Sequence, residues 1–194
     1  MKSNTLMVSQ RGKTTGHTAD DAMIKVFLKE SEKVAKENNF TSKQAMHLRL
    51  LTEELICMIP QIVKYGSGEF WIEYDEEKYA LHIKVIPNND AALPKKMDSN
   101  QKGGLLRRIS ETFDSFMRSG LKGVTRWSLR EYIKGVKMTD RNSNANEWDE
   151  LEQSILASIA DDVMVISTGS SMSSSKSVEV VVKKYLNPLP VEYI

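Results

Sequence analysis

The chain has 194 residues, 40% of them apolar and 27% charged, with a formal net charge of +1 at pH 7. That length suits one domain of ordinary size or one domain with an appendage, and the near-neutral charge gives no reason to invoke nucleic acid or an acidic surface. A single cysteine excludes an intrachain disulfide and a thiolate cluster; no apolar run is long enough to span a bilayer, residues 1–16 lack the apolar core of a signal peptide, and cytoplasmic residence is expected.

Residues 5–13 alternate weakly and read as an edge strand. Residues 18–39 read as a helix: Thr18 or Asp20 can cap it, Met23, Val26, Phe27 and Val34 recur at helical spacing, and Asn38 and Asn39 end it. The next helix opens on a capping box, Thr41-x-x-Gln44, with Phe40 placed as a staple against Ala45. Its buried stripe is Leu48, Leu51, Leu55, Met58 and Ile62. Residues 68–86 read as a hairpin, in which Phe70, Ile72 and Tyr74 alternate before a polar turn and Leu81, Ile83 and Val85 alternate after it. A polar loop over 87–104 has a length usually found in functional or disordered segments.

Residues 105–120 read as a helix with Leu105, Ile109, Phe113 and Phe116 on one face and Gly120 as its cap. Residues 123–133 read as a strand and 137–148 as a polar linker. A short helix over 147–160 carries Trp148, Leu151, Ile155 and Ile159 on one side. Two Val- and Ile-rich strands, 161–168 and 176–186, follow around a serine-rich loop.

These elements predict an α/β (α+β) two-layer sandwich: a mixed, largely antiparallel sheet with helices on one face. The main domain covers residues 1–138. Residues 139–194 form a linker, a helix and a β-hairpin extension, too small for a core of its own. It is expected to dock on the main domain, by extending a sheet edge or covering the open face, or to pair with a second copy in a homodimer.

Within the second helix Glu53 and Glu54 interrupt the apolar run, Cys57 follows one turn on, and Pro60 then disfavours a straight helix. The proline lacks an N–H and crowds the carbonyl of Ile56, at a cost of about 3 kcal/mol. With this acid pair, the order of elements in residues 5–133 resembles the histidine-kinase-like ATPase superfamily, most nearly its bacterial anti-sigma-factor serine kinase branch. The resemblance implies a Glu-x-x-x-Asn box on that helix, with the acid orienting water or an acceptor hydroxyl and the amide holding a magnesium ion on the phosphates of ATP. It also implies an Asp-x-Gly that binds adenine, glycines that meet the phosphates, and a late threonine beside the adenine.

On this chain those positions fall on Glu53, on Cys57 in place of the amide, and on Gln61 in place of a following His or Asp. They continue at Asn88, Asn89 and Asp90, with no glycine after the acid, at Gly103 and Gly104, and at Thr125. A thiol is a poor ligand for magnesium, which takes hard oxygen donors. Each position has a plainer reading as well. Glu53 and Glu54 fit the solvated side of an amphipathic helix, Cys57 fits a small buried hydrophobe, and the glycine pair fits a loop end. Lys102, Arg107 and Arg108 suit an anion at a helix N-terminus or a soluble surface. His17, His47 and His82 have no ligand spacing, so no metal site is expected from them.

The resemblance leads to a regulatory module with a degenerate nucleotide site that binds a protein partner of the sigma-factor or antagonist type. The alternative is an active serine/threonine kinase using ATP and magnesium, with Glu53 as base and Asn88 or Asn89 assisting. A small-molecule binder reusing the pocket is a third class. Neither a nucleic-acid nor a membrane partner is expected.

Overall fold

A tight hairpin sets the sheet. Asp75 Oδ1 accepts from the backbone N–H groups of Glu77 and Lys78, both at 2.9 Å, and the chain reverses between β2 (Gly66–Tyr74) and β3 (Lys78–Pro87). These two bonds also hold the Asp75 carboxyl below the usual carboxylate range, chiefly through the Glu77 N–H. Phe70 lies opposite Ile83 and Ile72 opposite Leu81, and all four are fully buried on the inner face.

The computed structural model describes residues 1–8, 18–59, 66–87, 105–119, 123–138, 154–169 and 176–187, and the side chains of all of these except 8, 18–23 and 136–138. Besides β2 and β3, the elements are β1 (Leu6–Val8), α1 (Thr18–Glu37), α2 (Ser42–Ile56), α3 (Leu105–Arg118), β4 (Gly123–Ser128), α4 (Leu129–Met138), α5 (Ile155–Ile159), β5 (Asp162–Gly169) and β6 (Lys176–Tyr185). The fold is an α+β two-layer sandwich. The six strands among the described residues run in the order β1-β2-β3-β6-β5-β4, and every neighbouring pair is antiparallel.

One face of the sheet carries the main core. Phe27 of α1, Leu48, Leu51 and Leu55 of α2, Ile109 and Phe113 of α3, Leu129 of α4 and Leu156 of α5 share a single cluster with the inward residues of the strands. The opposite face holds a small separate cluster of Ala80, Met164 and Val181. Alternation on a strand sends neighbouring side chains to opposite faces, which is why Val181 and its neighbours Val180 and Val182 belong to different clusters. No helix of the described residues is long and apolar enough to cross a membrane.

The sequence expectation holds for the hairpin, for β1 at the sheet edge and for α2. The capping box of α2 is complete: Gln44 N–H donates to Thr41 Oγ1 at 3.3 Å and Thr41 N–H to Gln44 Oε1 at 2.8 Å. On α1, Val26 is 50% exposed and Phe27 faces the core. On α5, Leu156 is the residue that is buried, while Ile155 is 38% exposed. The expectations for Pro60, Ile62, Gly120, Trp148, Leu151, the loop 88–104 and the serine-rich residues 170–175 lie outside the described residues, as do the side chains of Thr18, Asp20 and Met23.

Two expectations are corrected. Residues 123–133 are not one strand: β4 ends at Ser128 and α4 begins at Leu129. Ser128 Oγ accepts from Glu131 N–H at 3.4 Å and donates to Asp162 Oδ1 at 2.9 Å, and that same oxygen accepts from Arg130 N–H at 3.2 Å. A serine followed three residues later by a glutamate is a helix-start pattern, and here it turns an edge strand directly into a helix. We expect Ser128→Ala to lower stability by about 1 kcal/mol in urea titration, the usual cost of a lost N-cap; an unchanged midpoint would show that Asp162 alone suffices.

The second correction concerns the C-terminal hairpin. It docks on the main domain within the chain, one of the expected outcomes, but at the centre of the sheet rather than at its edge or over its open face. β6 inserts between β3 and β5, and β5 carries β4 on its other side. Residues 162–185 therefore share the sheet and the core with strands from the first half of the chain.

Candidate functional site

Two regions bear on function, at opposite ends of α2. The first is its C-terminal turn, where Glu53, Glu54 and Cys57 stand. An α-helix advances 100° per residue, so with Leu51 and Leu55 pointing into the core Glu53 points away from it. Arg49 Nε donates to Glu53 Oε1 at 3.0 Å, and Arg49 also reaches Glu32 Oε1 of α1 at 3.1 Å. All three side chains are about half exposed, so this is a solvated seam between α1 and α2, with pairs each contributing less than about 1 kcal/mol.

Glu54 is the perturbed acid of the pair. Burial pushes its carboxyl upward, and the neighbouring Glu53 charge adds to the effect. Cys57 is exposed rather than the small buried hydrophobe its residue type suggests. Its sulfur is nevertheless partly shielded; that desolvation, then the charges of Glu54 and Glu53, hold the thiol above its ordinary value. Cys57 Sγ donates to Glu53 O at 3.3 Å. A protonated thiol and a carboxylate engaged with arginine are not the hard oxygen set that magnesium requires, so the described residues of this turn do not fit that ion. No group of three or more metal-capable side chains occurs among the described residues.

Of the other nucleotide-site positions expected from the sequence, Thr125 is the one among the described residues, and it lies away from this turn. Thr125 is half-buried on β4 opposite Ser167, and two strands, β5 and β6, separate β4 from β3. Gln61, Asn88, Asn89, Asp90, Lys102, Gly103 and Gly104 lie outside the described residues. Arg107 pairs with Glu111 along α3 at 3.9 Å, and the Arg108 guanidinium lies over the Tyr132 ring of α4 at 4.2 Å.

The second region is a cleft of about 650 Å³ at the N-terminal end of α2. The first turns of α2, the start of β3, the end of β6, and α4 and α5 converge on it. Tyr79 lines it from the sheet. This residue is 1% exposed, and its buried hydroxyl has no hydrogen-bond partner among the described residues. Burial, then the charge of Asp161, pushes the phenol well above its ordinary value, so it stays a proton donor. Asp161 is fully engaged: Oδ2 accepts from Tyr185 N–H at 2.6 Å and lies 3.2 Å from Lys184 Nζ. His47, on α2, has its pKa lowered by burial, then by Lys184 and Lys43, with Asp161 acting in the opposite direction.

None of this cleft was singled out from sequence. Its residues come from five elements spread between Thr41 and Asn187, so no local spacing links them. Compared with protein-family models, with curated proteins and with solved structures, the chain matches none.

Proposed function

We propose that this chain is a regulatory module that keeps the frame of a histidine-kinase-like ATPase, nearest to the anti-sigma type, and works by binding a protein partner of the sigma-factor or antagonist kind. On this reading it acts in the cytoplasm and its nucleotide site is degenerate. The observation that carries the reading is the placement of Glu53. The acid that would activate an acceptor hydroxyl is held by Arg49 on a solvated seam, and one turn on stands a thiol where an amide would hold magnesium. The order strand, helix, helix, hairpin, helix, strand supports the frame.

A second reading is an ATP-dependent serine/threonine kinase with Glu53 as base. The carboxyl beside it, Glu54, is shifted upward by burial and then by the Glu53 charge, so this turn is not an ordinary solvated helix face. Calorimetry with ATP and magnesium separates the two. We expect no saturable heat at micromolar protein and ligand. A micromolar dissociation constant would overturn the partner-binding reading in favour of the kinase; Glu53→Ala should then abolish turnover while circular dichroism stays unchanged.

A further inference from the structure

We infer that the cleft at the N-terminal end of α2 binds a small organic anion, a phosphate or carboxylate head on an apolar body. The inference is independent of the partner-binding reading, since Glu53, Glu54 and Cys57 do not line this cleft.

Charge comes first. Lys43, Arg130, Lys134 and Lys184 line the cleft against one carboxylate, Asp161. That carboxylate is already matched by Lys184 and the Tyr185 N–H. Lys43, Arg130 and Lys134 form no ion pair among the described residues. Three cations therefore converge on a concave space with no counter-charge among the described residues, and such a space concentrates anions.

The buried hydroxyl is the second, independent observation. A phenol removed from water without an acceptor is costly, and native structures rarely keep one without a reason. Tyr79 lines the cleft, and its hydroxyl, buried just behind that lining, is a neutral donor without an acceptor among the described residues. The acceptor it lacks is what a phosphate or carboxylate oxygen provides. The helix end is not the source of the site, because Thr41 already caps the first turn of α2.

The rest of the lining sets the body of the ligand. Leu129, Ile133, Ala157 and Leu186 present apolar surface. A volume of about 650 Å³ falls in the range of small-molecule sites, where a few placed polar groups orient a mostly apolar ligand. Inorganic phosphate would leave that surface wet, so an organic anion is the better fit.

His47 is a built-in reporter. In the free protein its titration midpoint lies below the ordinary value. The unfolded chain then binds more protons than the native one between that midpoint and about pH 6.5. This contribution to stability is present above about pH 6.5 and is lost as pH falls through the native midpoint. An anion held by Lys43 beside His47 opposes the effect of the lysines and raises the midpoint. His82 is the control, since it sits on the open face of the sheet with its Nδ1 2.6 Å from Glu179 Oε1.

The test is a histidine-ring NMR titration of the full chain with phenyl phosphate, benzoate, inorganic phosphate and phenol. The expected result is a saturable shift of His47 with a raised midpoint and an unmoved His82, using phenyl phosphate or benzoate. Whichever of these two binds tighter identifies the head group. Inorganic phosphate and phenol should each bind at least tenfold more weakly. Tyr79→Phe should weaken binding at least threefold, and Lys43→Gln combined with Lys134→Gln at least tenfold; if the tyrosine variant fails to fold, the lysine pair decides. The inference is overturned if His47 shows no saturable shift, if His82 moves equally, if inorganic phosphate matches the organic anions, or if the folded variants bind like the parent.

Discussion

Chains ending before residue 176 are expected to be unfolded. β6 pairs with β3 along residues Val178–Tyr185 on one side and with β5 on the other. Its Val178, Val180 and Val182 are fully buried. Burying one such side chain stabilises by about 1.5–3 kcal/mol, and two ladders are lost as well. A domain of this kind has about 5–15 kcal/mol in total, so the loss exceeds what the remainder can supply. The measurement is near-ultraviolet circular dichroism with limited proteolysis. The same outcome is expected for deletion of residues 140–194, which also takes β5. A truncated chain that kept a cooperative urea transition would show that the centre of the sheet is dispensable, against the strand order described above.

Gly66→Ala should be strongly destabilising. Gly66 is buried at the open end of the hairpin, opposite Pro87. A Cβ built there stands 2.0 Å from the carbonyl oxygen of Ile86 and 2.9 Å from its carbon. Both are backbone atoms, so no side chain can swing aside and the strands themselves must separate. Overpacking of this kind costs about 3 kcal/mol. Gly135→Ala is the matched control: it lies on α4, a Cβ there meets nothing within 4 Å, and alanine is favoured over glycine in a helix by about 1 kcal/mol. Urea denaturation should therefore move in opposite directions for the two variants. Equal midpoints would remove the argument for a close approach at Gly66.

What could be read from the residues depended on how local the physics is. The capping box at Thr41 and Gln44 and the alternation of Leu81, Ile83 and Val85 act within a few residues, so both were legible. Strand order is not local. Val-rich strands look alike at the edge and at the centre, so the run Val180–Val182 did not reveal which place β6 takes. The helix α4 was hidden because Trp127, Leu129 and Ile133 also fit a strand; the decisive cue was the pairing of Ser128 with Glu131. Cys57 was misjudged because the burial tendency of cysteine says nothing about a helix end turned to solvent. The cleft escaped altogether, since Tyr79, Asp161 and Lys184 meet only after β3 and β6 are aligned side by side.

The central position of β6 also orders events on the ribosome. Partners on β3 and β6 are far apart in the chain; His82 and Glu179 are separated by 97 residues. At a synthesis rate of about 5–20 residues per second, β3 waits on the order of 5–20 s for its neighbour. Through that interval the hairpin of β2 and β3 presents an unpaired edge together with the uncovered side chains of Leu81, Ile83 and Val85. An apolar, unpaired edge is a template for pairing with another chain. A premature stop anywhere between α4 and β5 should therefore leave an aggregation-prone hairpin rather than a smaller folded domain.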